Sequence, residues 1–112
     1  MQTITLNEFK KIKICVGTII DAKEFKDALK PAYKLKVDLG SKIGIKNSSA
    51  QITDLYTKKE LIGKKVLVVT NLSPKKIGPF TSECLVTGFY KEDKTVVLAS
   101  VDKEVVNGSI LE

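Results

Sequence analysis

The sequence predicts an all-β fold, a five-stranded barrel with a short helix between its third and fourth strands, and three observations predict it. Apolar and polar residues alternate over residues 14–20, 33–39 and 82–89, the period of half-buried strands. Glycine, proline and charged clusters separate these runs, with no long stripe of 3.6-residue period among them. The interior helix signal, Thr57-Lys58-Lys59-Glu60 followed by Leu61, Ile62 and Gly63, falls after the third strand candidate and before a buried-type strand at residues 65–70.

Each element has a local reason. Thr5-Leu6-Asn7-Glu8 has the spacing of a capping box, and Leu6, Phe9 and Ile12 form one apolar stripe over a short N-terminal helix. So brief a helix must dock, on its own domain or on a second copy of the chain. The first strand follows from Ile14, with Gly17 read as a bend or bulge, and residues 21–31 are charged and end in proline, as a connection does. Residues 33–39 place Tyr33, Leu35 and Val37 on one face and Lys34 and Lys36 on the other. Turn residues at 39–44 predict an antiparallel hairpin to the third strand.

The third strand breaks the alternation. Residues 44–52 put Ile45, Asn47, Ser49 and Gln51 on one face and Lys46, Ser48, Ala50 and Ile52 on the other, so both faces carry hydrogen-bonding groups. Burying such groups is costly without partners, so the strand either holds an internal polar network or meets a ligand. The expectation is a ligand surface presented by the Lys46 and Ser48 face. Residues 71–80 read as a stiff connector with two prolines and a glycine, a strand resumes at residue 82, another spans 96–101, and Asn107-Gly108 marks a turn in a C-terminal extension.

Composition bounds the function. With 112 residues, 43% of them hydrophobic, the chain has the size of one domain, residues 1–112. Its longest apolar run is residues 66–69, and no apolar leader is present, which predicts a soluble, cytoplasmic protein without membrane insertion. All 19 basic residues are lysines, against 13 acids, for a net charge of +6. Polyanions are natural partners for such a surface, and lysine suits phosphate and shape recognition better than base-by-base reading. No acid occurs over residues 39–53 or 61–82, so the fold can bring lysines together without neutralisation.

The chain has no histidine, and its only cysteines, Cys15 and Cys84, stand in apolar alternation. Zinc binding and imidazole-assisted catalysis are thereby disfavoured, and both thiols read as core residues of a reducing compartment. No cofactor, metal site or catalytic residue is expected. Five strands with a helix between the third and fourth fit an OB-fold Greek-key barrel, which binds nucleic acid on strands two and three and the flanking loops.

Several motifs carry a resemblance: Lys30-Pro31-Ala32-Tyr33-Lys34-Leu35, residues 44–53, Glu60-Leu61-Ile62-Gly63, residues 71–78, and Ser82-Glu83-Cys84-Leu85-Val86. With these, nearly the whole chain resembles the tRNA-binding-domain family, and within it the free-standing CsaA proteins, described as export-related chaperones. Related domains are appended to methionyl- and tyrosyl-tRNA synthetases and to a synthetase-associated cytokine. The resemblance implies an OB-fold with terminal extensions, a homodimer formed through them, and structure-dependent tRNA binding without catalysis. On this chain the RNA-binding candidates are Lys34, Lys36, Lys46, Asn47, Ser48, Ser49, Asn71, Lys75, Lys76 and Ser82. Chaperone binding of unfolded or exported polypeptides, or contact with export machinery, is the alternative, with Tyr33, Tyr56 and Phe80 as candidate apolar contacts. Where the family commonly has Asp-hydrophobic-Arg-Val-Gly, this chain has Lys13-Ile14-Cys15-Val16-Gly17, so both charges of that motif are missing.

Overall fold

A computed structural model describes the whole chain, Met1–Glu112. The helix α1 (Leu6–Phe9) is closed by its capping box: Thr5 Oγ1 accepts from the Glu8 N–H at 3.1 Å and Glu8 Oε1 accepts from the Thr5 N–H at 3.0 Å. It buries none of its residues, and Leu6 and Ile12 remain exposed.

Strand β1 (Ile14–Glu24) is longer than the alternation predicts, taking in the charged residues read as a connection. The cause is a β-bulge. Pairing with β2 (Tyr33–Asp38) steps from Ile19↔Val37 to Asp21↔Lys36, so Ile20 is the extra residue and the strand continues with Ala22 turned inward. Gly17 therefore marks close packing instead of the bulge. A Cβ there would stand 2.6 Å from Val37 Cγ1 and 2.8 Å from Leu39 Cδ2.

A single helical turn, α2 (Gly40–Ile43), joins β2 to β3 (Ile45–Ala50), and the two strands form the predicted antiparallel pair. The second capping box, Thr57 with Glu60, starts α3 (Lys58–Leu61), whose Leu61 is fully buried. Strand β4 (Lys65–Val69) then returns along the first half of β1.

The stretch predicted as a stiff connector is a hairpin. β5 (Lys75–Ile77) pairs with β6 (Phe80–Ser82) across Gly78-Pro79, where Gly78 has a φ of +59°. The strand predicted over residues 82–89 is broken into β7 (Leu85–Val86) and β8 (Gly88–Tyr90), because the chain leaves the edge of β4 to pair with β9 (Val96–Leu98). Gly88 permits this crossing, since a Cβ there would meet the Val97 carbonyl oxygen at 2.7 Å. The tail runs back beside β1, with the Val16 N–H donating to Ser109 O and the Leu111 N–H to Ile14 O.

The main sheet has the order β3-β2-β1-β4-β7. It curls into a nearly closed, five-stranded OB-like barrel around Ile19, Leu35, Val37, Leu39, Leu61, Val66 and Val68, with both free cysteines buried. No helix is long and apolar enough to cross a membrane.

Candidate nucleic-acid interface

Alternation along β2 sends Tyr33, Leu35 and Val37 into the core and leaves Lys34 and Lys36 on the outer face. The register sets Ser49 opposite Lys34 and Asn47 opposite Lys36, so these four predicted residues share that face. Lys36 Nζ donates to Asn47 Oδ1 at 3.5 Å. Lys34 Nζ lies 5.8 Å above the ring of Phe25, which is buried and meets Phe80 edge-to-face at 5.1 Å. Neither lysine takes part in an ion pair, so both charges are available to a polyanion.

The Lys46 and Ser48 face of β3 turns inward. Ser48 pairs with Leu35 and therefore points inward, where it is fully buried and its Oγ donates to Cys84 O at 2.9 Å. It satisfies the internal-network reading, not the ligand one. Lys46, opposite the core residue Val37, lies at the rim of that inner face, and its ammonium is 3.8 Å from Glu83 Oε2. Glu83 follows immediately after an acid-free stretch and partly neutralises it. Its N–H donates to Asn47 O at 2.8 Å and its Oε1 accepts from the Asn47 N–H at 3.0 Å, closing the barrel between β3 and the chain before β7.

Two further candidates hold the fold. Asn71 Oδ1 accepts from the Lys13 N–H at 2.9 Å and its Nδ2 donates to Lys11 O at 2.7 Å, which ties down the N-terminal segment. Ser82 Oγ accepts from the Ser49 N–H at 3.1 Å. Both side chains are hydrogen-bonded within the fold. The aromatic candidates for polypeptide binding divide likewise. Tyr33 is buried with its hydroxyl donating to Tyr56 O at 2.8 Å, and the Tyr56 hydroxyl accepts from the Leu98 N–H at 3.0 Å. Phe80, half-buried on the outer face, borders a surface pocket.

Lys75 and Lys76 are exposed and without ion pairs, but successive residues of a strand point to opposite sides. Lys75 borders a groove of about 680 Å³ lined by the end of β3, the β5–β6 hairpin and the chain through β7. Leu72, Leu85 and Tyr90 supply much of its apolar wall and are exposed. Sequence reasoning missed this groove because its walls come from four separate segments. It also missed Phe25, the aromatic support beneath Lys34. No three acids and cysteines gather closely enough to hold a metal ion.

Burial pushes the Cys84 thiol up to about 11, with the Glu83 carboxylate adding to the rise and the Ser48 hydrogen bond and Lys46 opposing it. The native state therefore keeps its proton through a window where the unfolded thiol, near 9, has lost it. The resulting stability is complete below about pH 9 and is lost as pH rises towards 11, by roughly 2–3 kcal/mol in all. Denaturant titrations at pH 8 and 10.5 should show a steeper alkaline loss for the wild type than for Cys84→Ala. Equal losses would contradict this assignment.

Residues 14–110 match the family model for a tRNA binding domain. The chain belongs to the tRNA-binding-domain family. It is 41% identical over 109 residues to the methionine–tRNA ligase of Leptospira biflexa, a match that covers 97% of this chain and 16% of the ligase. This chain thus spans about one-sixth of the ligases it matches. Two solved structures of CsaA chaperone proteins are also similar. That from Picrophilus torridus is 49% identical with a TM-score of 0.92, covering 98% of this chain and 100% of its own. That from Bacillus anthracis is 38% identical, also with a TM-score of 0.92, covering 99% and 100%. In this member of the family, the motif asparagine at 71 and serine at 82 have structural work, and the pair of charges missing around Ile14 leaves Cys15 buried in the core.

Proposed function

We propose that this chain is a non-catalytic RNA-binding module that recognises the phosphate backbone and shape of tRNA or a similarly structured RNA. The observation that carries the reading is the outer face of β2 and β3, where Lys34 and Lys36 stand unpaired beside Asn47, Ser49 and Phe80. Family membership supports it. Lys75 and Lys76 extend the basic surface along the β5–β6 hairpin. Such a partner belongs to the cytoplasm. If each copy neutralises roughly three to five phosphates, log affinity falls against log salt with a slope of about −2 to −4. Titration of labelled tRNA between low and moderate salt checks this; a slope near zero would remove phosphate recognition.

The chaperone reading has its own observation, the groove between β3 and β7 with Leu72, Leu85 and Tyr90 exposed along it. Binding of an unfolded polypeptide there would bury apolar surface, resist salt and carry a negative heat-capacity change. Salt response therefore separates the two ligands on one protein.

The N-terminal helix supports a homodimer. Ile4, Leu6 and Ile12 leave their apolar side chains uncovered, as do Val106, Ile110 and Leu111 of the tail, and the two segments flank the start of β1. A second copy of the chain covers both. Removal of residues 1–11 is expected to give a monomer in sedimentation, and a truncated protein that stays dimeric would exclude α1 from the interface.

A further inference from the structure

We infer that the pocket under Phe80 on the outer face of β2 receives a single unpaired nucleobase, with guanine the base it fits best. The inference rests on the RNA-binding reading above and names the part of the RNA that this site takes.

Cross-strand pairing builds two rows on this face. Asp21 on β1 pairs with Lys36 on β2, which pairs with Asn47 on β3; Lys23, Lys34 and Ser49 form the next row. Directly paired residues share a face of the sheet, so each row runs across three strands at a spacing of about 4.8 Å. Phe80 stands beside them, and with Asp21, Lys23, Lys34, Lys36 and Asn47 it lines a pocket of about 210 Å³. That is below the roughly 300–1,000 Å³ of sites enclosing drug-sized ligands and suits one planar ring system.

The chemistry selects a base over a phosphate. Asp21 puts a carboxylate in the lining, which repels an anion and accepts hydrogen bonds from amino and imino groups. Its pairing with Lys23, at 3.9 Å, is exposed and weak, so the carboxylate remains available. Asn47 turns its Oδ1 to Lys36 and so presents its NH2 as a donor. A wall with a two-oxygen acceptor at one end and donors at the other complements the Watson–Crick edge of guanine, whose adjacent N1–H and N2–H2 donors stand beside the O6 acceptor. Phe80 supplies the stacking surface, and its edge-to-face contact with Phe25, at an interplanar angle of 65°, holds the ring in place. Lys23, Lys34 and Lys36 around the rim are left for the phosphates on either side of the base. The bulge at Ile20 is what turns Asp21 onto this face, so the acceptor is built into the bend of the barrel.

The chain contains no tryptophan, so Phe80→Trp places a single tryptophan at the site, whose red-edge excitation separates it from the three tyrosines. Titration with UUGUU, UUAUU, UUCUU and UUUUU ribonucleotides should quench it most strongly and at lowest concentration with UUGUU. Phe80→Ala should weaken UUGUU about tenfold, with the salt slope set by the lysines retained. Asp21→Asn, a change at a half-buried position that leaves the aromatic pair intact, should abolish the preference for guanine. Equal quenching by all four oligonucleotides, or an Asp21→Asn protein that keeps its preference, would overturn guanine selection. No quenching at all, with tRNA still bound at the wild-type salt slope, would overturn the base pocket and leave the RNA reading standing. Loss of salt-dependent tRNA binding by the unsubstituted protein would instead be failure of the RNA reading itself.

Discussion

Replacing Lys34 and Lys36 together by alanine is expected to weaken tRNA binding about 10- to 100-fold near 0.1 M salt and to make the salt slope shallower by about two. The reason is geometric. Both ammonium groups project from one face of β2, neither is held by a carboxylate, and each is free to displace a counterion from the nucleic acid. Their loss should cost little stability, because surface substitutions away from special contacts usually stay within about 0.5 kcal/mol. Lys34 adds one contact, its ammonium over Phe25, and a small change there is tolerable. The same double substitution at Lys91 and Lys94, exposed on the β8–β9 turn, should leave affinity nearly unchanged. Equal effects from the two pairs would mean that net charge alone governs binding.

Gly40→Ala is expected to have the largest effect on the fold. Gly40 has a φ of +90°, and a Cβ at this position would lie 2.5 Å from the backbone oxygen of Asn107. Gly108 faces it with a φ of +93° and a Cβ position 2.8 Å from Leu39 O. The two glycines let the start of α2 and the tail touch backbone to backbone. The tail is then locked by Asn107 Oδ1, which accepts from Thr18 Oγ1 at 2.9 Å and from Lys65 Nζ at 2.7 Å, and by the Gly108 N–H donating to Val16 O at 2.8 Å. A methyl group cannot fit without moving main chain, so strain and overpacking together should destabilise by on the order of 3 kcal/mol. For a domain of this size the melting temperature should fall by more than about 10 °C. A loss below about 1 kcal/mol would show that the tail can shift freely.

Local chemistry was legible and long-range register was not. Both capping boxes, the outward lysines of β2 and the β2–β3 hairpin follow from residues close in sequence. Which face of β3 meets solvent depends on pairing with β2, and a slip of one residue reverses every side chain. Because the link between these strands folds as the helical turn α2, its length does not set the register by inspection, and Ser48 passes from expected ligand contact to buried donor. Asn71 reads as a surface motif residue until Lys11 and Lys13, nearly sixty positions earlier, come to lie against it. The bulge at Ile20 similarly hides the outward placement of Asp21 and Lys23, since the sequence there shows only charge. The groove along β3 and β7 has no sequence signature at all, because its walls come from segments distant in the chain.

RNA bound on the outer face of β2 and β3 would cover Lys34 and Lys36, so the reactivity of these lysines reports where it lies. The chain carries its reporters in place, with 19 lysines and no arginine to compete for phosphates. Brief acetylation with and without saturating tRNA, read by mass spectrometry, should show protection of Lys34 and Lys36 and none of Lys91 or Lys94. Full reactivity of Lys34 and Lys36 in the presence of bound tRNA would exclude this face as the RNA-binding surface.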